Sequence, residues 1–257
     1  MAGTAPQERP LEKRVALVTG AGKGLGRAIA TGLAEAGAHV VLVSRTRADL
    51  ESLRDEIESA GGQALVCPAD VTRTADVQAA VAQAIASFGR IDVLVNSAGG
   101  SLRKASLDVT DEEWDSVMAA NLSSTFKVCR AVGRHMVEKR SGSIINIAST
   151  AGVRGRPGNA PYSAAKAAVI NLSRALAMEW APHGVRVNTL APGRFLTPLT
   201  APEMTVPAKY EAFVRQVPLG RIGRPEELKE IAVWLASDAS SFVTGSMITL
   251  DGGQTLA

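Results

Sequence analysis

Short apolar runs recur along the chain, each closed by a glycine or small polar residue and followed by a longer stretch with helical spacing. The run 15–18 ends at Thr19-Gly20 and leads into a helical pattern through Ile29, Leu33 and Ala36, which Gly37 stops. The run 40–43 is followed by Thr46-Arg47-Ala48-Asp49, which has the form of a capping box, and by a helix carrying Leu50, Leu53 and Ile57. Further runs fall at 64–67, 91–95, 144–147, 185–190 and 247–250. Between them lie helical patterns through Val77, Val81 and Ile85, from Thr110 to Val132, and around Tyr162. Four-residue runs without polar alternation mark strands buried on both faces. Their regular alternation with helices predicts an α/β fold: one doubly wound domain of about seven parallel strands, with helices on both faces.

Repeats and linkers are absent, so residues 14–257 read as a single domain behind a polar tail, 1–13. The one long stretch without periodicity is 193–224, with Pro198, Pro202, Pro207 and Pro218. Segments of that length in a compact domain are usually lids or binding segments, which places this one beside the functional site.

Composition narrows the function more than the fold. A hydrophobic share of 46% in 257 residues is ample for a large core. The net charge of +3 is dispersed and aromatics make up only 4%, which argues against a nucleic-acid partner. Cys67 and Cys129 have no paired spacing, and His39, His135 and His183 are scattered, so neither a disulfide framework nor a metal site is expected. The N-terminus lacks an apolar signal core and no run approaches membrane-spanning length, so a cytoplasmic protein with no membrane partner is expected.

The candidate chemistry lies at Tyr162 and Lys166, four residues apart and therefore on one helical face, with Ser149 upstream at a strand end. An ammonium beside a phenol favours the phenolate, and a free tyrosine near pKa ~10 needs such help to act as an acid–base group at neutral pH. A neutral hydroxyl such as Ser149 then holds a substrate oxygen beside the phenol. Alone, the Tyr–Lys spacing is a weak signal.

A second feature reinforces it. Gly20, Lys23, Gly24, Leu25 and Gly26 stand between the first strand and first helix, where a glycine-rich turn brings backbone N–H groups and a helix N-terminus against a phosphate. This is the arrangement of a Rossmann dinucleotide site, although the strict G-x-G-x-x-G spacing is absent. The second strand ends in Ser44-Arg45, with no acid to bind a ribose 2′-hydroxyl. An arginine there suits a 2′-phosphate, so NADP(H) is favoured over NAD(H). Asp70, after the third strand, is placed to bond an adenine amino group or to cap a turn.

With these residues in order, the chain resembles the short-chain dehydrogenase/reductase family from Val15 to Gly253. The matching motifs are Thr19-Gly20 with Gly24-Leu25-Gly26, Asp70-Val71, Asn96-Ser97-Ala98-Gly99, Asn121, Ser149, Tyr162 with Lys166, Pro192-Gly193 with Thr197, and Asp251-Gly252-Gly253. The resemblance implies hydride transfer between a nicotinamide cofactor and a ketone or secondary alcohol. It implies Tyr162 as general acid/base, Lys166 lowering the phenol's pKa and binding the ribose, Ser149 polarising the substrate oxygen, and Asn121 positioning a water for proton relay. Asn96, Ala98, Gly99, Pro192, Gly193 and Thr197 would border the cofactor. It implies a strand order 3-2-1-4-5-6-7 and a homotetramer paired through the long helix and the Tyr162 helix. One departure is Ser97, where family members usually carry a second Asn.

The substrate is less legible. Arg154 and Arg156 fall between Ser149 and Tyr162, with Arg103, Lys104 and Arg194 in neighbouring loops, and guanidinium groups suit carboxylates or phosphates. They are equally what a solvated loop carries. The second half is most similar to the gluconate 5-dehydrogenase subgroup, which implies a sugar acid such as 5-keto-gluconate. The 3-oxoacyl-carrier-protein reductases of fatty-acid synthesis are the alternative. A non-catalytic nicotinamide-binding sensor is a third reading, against which the intact Ser149, Tyr162 and Lys166 speak.

Overall fold

The computed structural model describes residues 9–198 and 200–256. Among them seven strands form one sheet, every neighbouring pair parallel, in the order 3-2-1-4-5-6-7. They are β1 (Val15–Thr19), β2 (His39–Ser44), β3 (Gln63–Pro68), β4 (Val93–Asn96), β5 (Gly142–Ile147), β6 (Val185–Pro192) and β7 (Met247–Leu250).

Side chains alternate across a strand, and this sheet has an apolar core on each face. Ala16 and Val18 of β1, Val40 and Leu42 of β2 and Ile145 of β5 face one core. Helices α1 (Gly24–Glu35) and α2 (Arg47–Ser59) cover it, through Ile29, Leu33, Leu50 and Leu53. Val15, Leu17, Val41, Val43 and Ile144 face the other core. Helix α3 (Thr74–Phe88) covers that side, and beyond it α4 (Asp111–Met118) leads into α5 (Ser124–Lys139). The short α6 (Thr150–Val153) precedes α7 (Ala160–Trp180), whose Leu176 and Ala177 join the second core. Three later helices, α8 (Ala201–Met204), α9 (Pro207–Val214) and α10 (Lys229–Ala236), follow β6, and α10 returns to the first core through Ala232 and Leu235. Each fully buried Leu or Ile contributes about 1.5–3 kcal/mol, which is why runs lacking polar alternation are tolerated only in this two-sided setting.

Four local expectations change. Residues 1–8 of the anticipated tail lie outside the described residues. Leu11 is fully buried and its N–H reaches the Ala36 carbonyl at 3.0 Å, so packing against the domain starts before residue 14. The capping box at 46–49 does not form, because the Thr46 side chain makes no cap and the Asp49 carboxylate pairs with Lys23 at 3.1 Å. The box at 110–113 does form, but its helix is interrupted by a π-turn, Ala119–Ser123. The stretch 193–224 is not irregular throughout, since its prolines Pro202 and Pro207 stand in the first turns of α8 and α9. Proline is tolerated there, because those N–H groups have no intrahelical partner.

The strand order locates the site. From β3, at one edge, the chain crosses back to lay β4 against the other side of β1. Connections leave β1 and β4 in opposite directions, and the crevice this opens beyond their carboxyl ends is where open α/β sheets bind ligands.

Candidate active site

At one end of that crevice stands the glycine turn. Gly20 has φ +67°, and a Cβ there would lie 2.8 Å from the Ala98 amide nitrogen. A Cβ on Gly26 would collide with the Gly20 carbonyl. Side chains at either position would push the α1 N-terminus away from the β1 and β4 ends, and with it the unpaired N–H groups of its first turn. The Thr19 hydroxyl accepts the N–H groups of Ser97 and Ala98, each at 3.2 Å, and ties the same two strand ends together. Ser44 Oγ is buried without a hydrogen-bond partner, and Arg45 beside it is exposed. The Asp70 carboxylate accepts from Thr72 Oγ1 at 2.7 Å and Thr72 N at 2.9 Å, and these bonds hold its pKa below the usual carboxylate value.

At the other end Ser149 caps α6, its Oγ accepting the Ala151 N–H at 3.1 Å. The Tyr162 phenol lies near enough to this hydroxyl for Ser149 to favour the phenolate. One turn further along α7, Lys166 is buried and donates from Nζ to the Ile147 carbonyl at 2.8 Å. Its Nζ stands 5.6 Å from the Tyr162 ring centroid.

The balance at the phenol differs from the expectation that Lys166 would depress it. Burial is the largest effect and pushes Tyr162 above its ordinary pKa, with the Ser149 hydroxyl and the charge of Arg156 acting the other way. Burial likewise pulls Lys166 down, to about 8. An ammonium that is itself desolvated this strongly is still mostly charged at neutral pH, yet its cost in the fold is real.

Asn121 lies inside the π-turn and is fully buried. Its amide nitrogen donates to the Gly100 carbonyl at 2.8 Å and the Val117 carbonyl at 2.9 Å. Its backbone carbonyl accepts from Thr125 Oγ1 and that of Ala120 from Ser124 Oγ, both at 2.7 Å, so hydroxyls take up carbonyls at the helix irregularity.

A cavity of about 800 Å³ joins these features. Gly20, Lys23, Gly24, Leu25 and Gly26 line it from the first turn, and Ser44, Arg45, Asp70 and Val71 from the ends of β2 and β3. Ala98, Gly99, Asn121, Ser149, Tyr162 and Lys166 line it as well, as do Pro192, Gly193 and Thr197. Asn96 does not reach it. Its amide bonds Asn146 Oδ1 at 2.8 Å and Cys129 Sγ at 3.2 Å, which makes it a buried tie between β4, β5 and α5. Arg154 and Arg156 are not in the lining either; Arg154 is exposed and Arg156 half-buried just behind Tyr162. Sequence reasoning missed Asp49, Ser97, Phe195 and Thr200, all of which line the cavity. Only Ser97 had a signal, as a departure from the family motif.

Residues 20–255 match the family model described as enoyl-(acyl carrier protein) reductase. The chain is 39% identical to the 3-oxoacyl-(acyl-carrier-protein) reductase FabG of Thermotoga maritima over 243 residues, 95% of this chain and 98% of that one. It is 40% identical to the gluconate 5-dehydrogenase of Gluconobacter oxydans over 242 residues, 94% of each. The crystal structure of a gluconate 5-dehydrogenase from Burkholderia cenocepacia, in complex with NADP and tartrate, superposes with a TM-score of 0.93 at 39% identity, over 97% of this chain and 98% of that one.

The chain belongs to the short-chain dehydrogenase/reductase family. It is an oxidoreductase of alcohols and ketones. The residues present fit the nicotinamide dinucleotide this family uses: a glycine cradle that a Cβ would fill, an orphaned Ser44 hydroxyl in the cavity wall, and a cavity running from that hydroxyl to Tyr162. Among the described residues no group of three metal-ligating side chains occurs, and no helix is long and apolar enough to cross a membrane.

Proposed function

We propose that this short-chain dehydrogenase/reductase transfers a hydride between NADP(H) and a secondary alcohol or ketone, with a sugar acid such as 5-keto-gluconate as substrate. The observation that carries the reading is the convergence of Ser149, Tyr162 and buried Lys166 in one cavity with the glycine turn. Gly20, Gly24, Leu25 and Gly26 would hold the pyrophosphate, Asp70 and Val71 the adenine, and Ala98, Gly99, Pro192, Gly193 and Thr197 the nicotinamide half. Bound there, the cofactor supplies or accepts the hydride. Tyr162 gives its phenolic proton to the carbonyl oxygen in reduction and takes the alcohol proton in oxidation. Ser149 donates to that same oxygen. Lys166 holds the ribose hydroxyls and adds positive charge beside the phenolate, and Asn121 with Lys166 holds the water through which Tyr162 recovers its proton.

A panel of ketones and alcohols assayed with both cofactors tests this. Tyr162→Phe is expected to lose turnover by roughly 10²–10⁴-fold while cofactor affinity is retained. Full activity in that variant would reject the mechanism, and a wild-type protein that binds cofactor without turning over any substrate would favour a sensor instead.

For NADP, the support is the orphaned Ser44 hydroxyl next to Arg45, with Lys23 nearby but already paired to Asp49. Arg45→Ala is expected to lower the NADPH-to-NADH ratio of kcat/KM by about tenfold; an unchanged ratio removes Arg45 from cofactor selection. For the sugar acid, the support is the likeness to gluconate 5-dehydrogenases, one of which was crystallised with the polyhydroxy acid tartrate. A carrier-protein reductase is the second reading, supported by the Thermotoga maritima relative at equal similarity. We further propose a cytoplasmic homotetramer.

A further inference from the structure

The last turn of the chain meets the catalytic tyrosine through one arginine. The Asp251 carboxylate accepts the N–H groups of Gly253 at 3.0 Å and Thr255 at 2.8 Å, which fixes the turn carrying Gln254. Gln254 is buried, 6% exposed, and its Oε1 accepts from Arg156 Nη2 at 2.8 Å. The second bond of that nitrogen goes to Thr150 Oγ1 at 3.2 Å, next to Ser149. The guanidinium is thereby held beside Thr150, and among the described residues its Nε and Nη1 make no hydrogen bond and no carboxylate pairs with it.

Two features of this cluster are unusual in a protein interior. A half-buried guanidinium without a counter-ion is costly, because desolvation is not offset by an ion pair. Arg103 and Arg154 act against its charge, and among the described residues the carboxylate that acts on it, Asp251, is committed to its own turn. Gln254 Nε2 is buried with no partner. Its orientation is not arbitrary, since turning the amide over would set N–H against N–H at Arg156. Among the described residues, then, a cation lacking an anion and an amide donor lacking an acceptor lie side by side. Gln254 lies directly behind the cavity wall, since a Cβ on Gly193, which lines the cavity, would stand 3.3 Å from Gln254 Oε1.

We propose that Arg156 and Gln254 form the subsite that receives the carboxylate of the substrate, with Gln254 setting the selectivity for an acid over an uncharged polyol. This rests on the sugar-acid reading above and gives it an address. One acceptor group satisfies both the guanidinium and the amide N–H, as a carboxylate does with its two oxygens. An uncharged polyol leaves the guanidinium without its counter-charge.

The test is calorimetric titration of tartrate and of gluconate into the NADP⁺-saturated protein, beside kcat/KM for gluconate against D-threitol. Gln254→Glu sets a carboxylate against Arg156 and Arg156→Ala removes the cation. Each is expected to weaken tartrate and gluconate binding by about tenfold or more, and to lower the gluconate-to-threitol ratio as far. NADP⁺ affinity serves as the control for folding, and Arg154→Ala is expected to change acid binding less than about threefold. Unchanged acid affinity in both variants overturns the subsite, as does a loss that appears in Arg154→Ala instead. If the wild type binds both acids at this pair but oxidises neither, the subsite stands and the sugar-acid substrate falls. If gluconate is oxidised equally well by the wild type and both variants, the substrate stands and the subsite falls.

Discussion

The Tyr162 hydroxyl is subject to two opposed effects that a pH profile can separate. Burial disfavours the phenolate, while the Ser149 hydroxyl and the Arg156 charge favour it. In alcohol oxidation the phenolate is the active form, so kcat/KM rises as pH passes through the Tyr162 pKa. Ser149→Ala removes a group that lowers that pKa, so the rising limb is expected to move to higher pH, alongside a loss of roughly 10²–10³-fold in kcat. A limb that stays in place or moves to lower pH would show that Ser149 does not act on the phenol. The Tyr162–Lys166 spacing was legible in the sequence because residues four apart share a helix face. What that spacing did not convey was how deeply both groups are buried, and burial is what sets their protonation.

At the scale of elements, the break between α4 and α5 matters most. A π-turn accommodates one extra residue, and here that puts Asn121 where its side chain bonds both the preceding helix and the loop after β4. Asn121→Ala leaves the Gly100 and Val117 carbonyls without that donor, and is expected to destabilise the fold by about 1–3 kcal/mol in urea unfolding. Weakened cofactor binding should accompany it, since Gly99 and Gly100 line the cavity. A variant with unchanged stability would mean that water replaces the amide without loss. The hydrophobic pattern from Thr110 to Val132 is continuous and reads as one helix, because a π-turn shifts the register by a single residue without a proline or glycine to announce it. The failed capping box at 46–49 has a similar origin: the motif is local, and a cation brought by the glycine turn competes for its acid.

At the scale of the whole molecule, several large apolar side chains stay uncovered on the helices expected to pair with other copies. Trp114 and Phe126 are about 41% and 40% exposed, and Met178 of α7 is 82% exposed. Removing such area from water is favourable by roughly 25 cal/mol per Å². The proposed homotetramer predicts a sedimentation mass near four chains at micromolar concentration, and Phe126→Glu is expected to shift it towards smaller species. A wild-type monomer under those conditions would refute the assembly.

Much of this protein was determined locally, and that part the sequence carries by itself. Strands of four or five apolar residues, closed by small residues and separated by amphipathic helices, dictate a covered parallel sheet, because backbone geometry and burial fix the period. The glycine turn, Ser149, Tyr162 and Lys166 could be placed at strand ends and on a helix face for the same reason. Tertiary structure decided the rest. Asn96 turned inward to Asn146 and Cys129, a choice made by which strands lie side by side. Lys23 was drawn to Asp49 from the next βα unit, and Arg156 to Gln254, 98 positions away. Electrostatics and desolvation act through space and the chain records only order, so the charges around the site took their meaning from the fold.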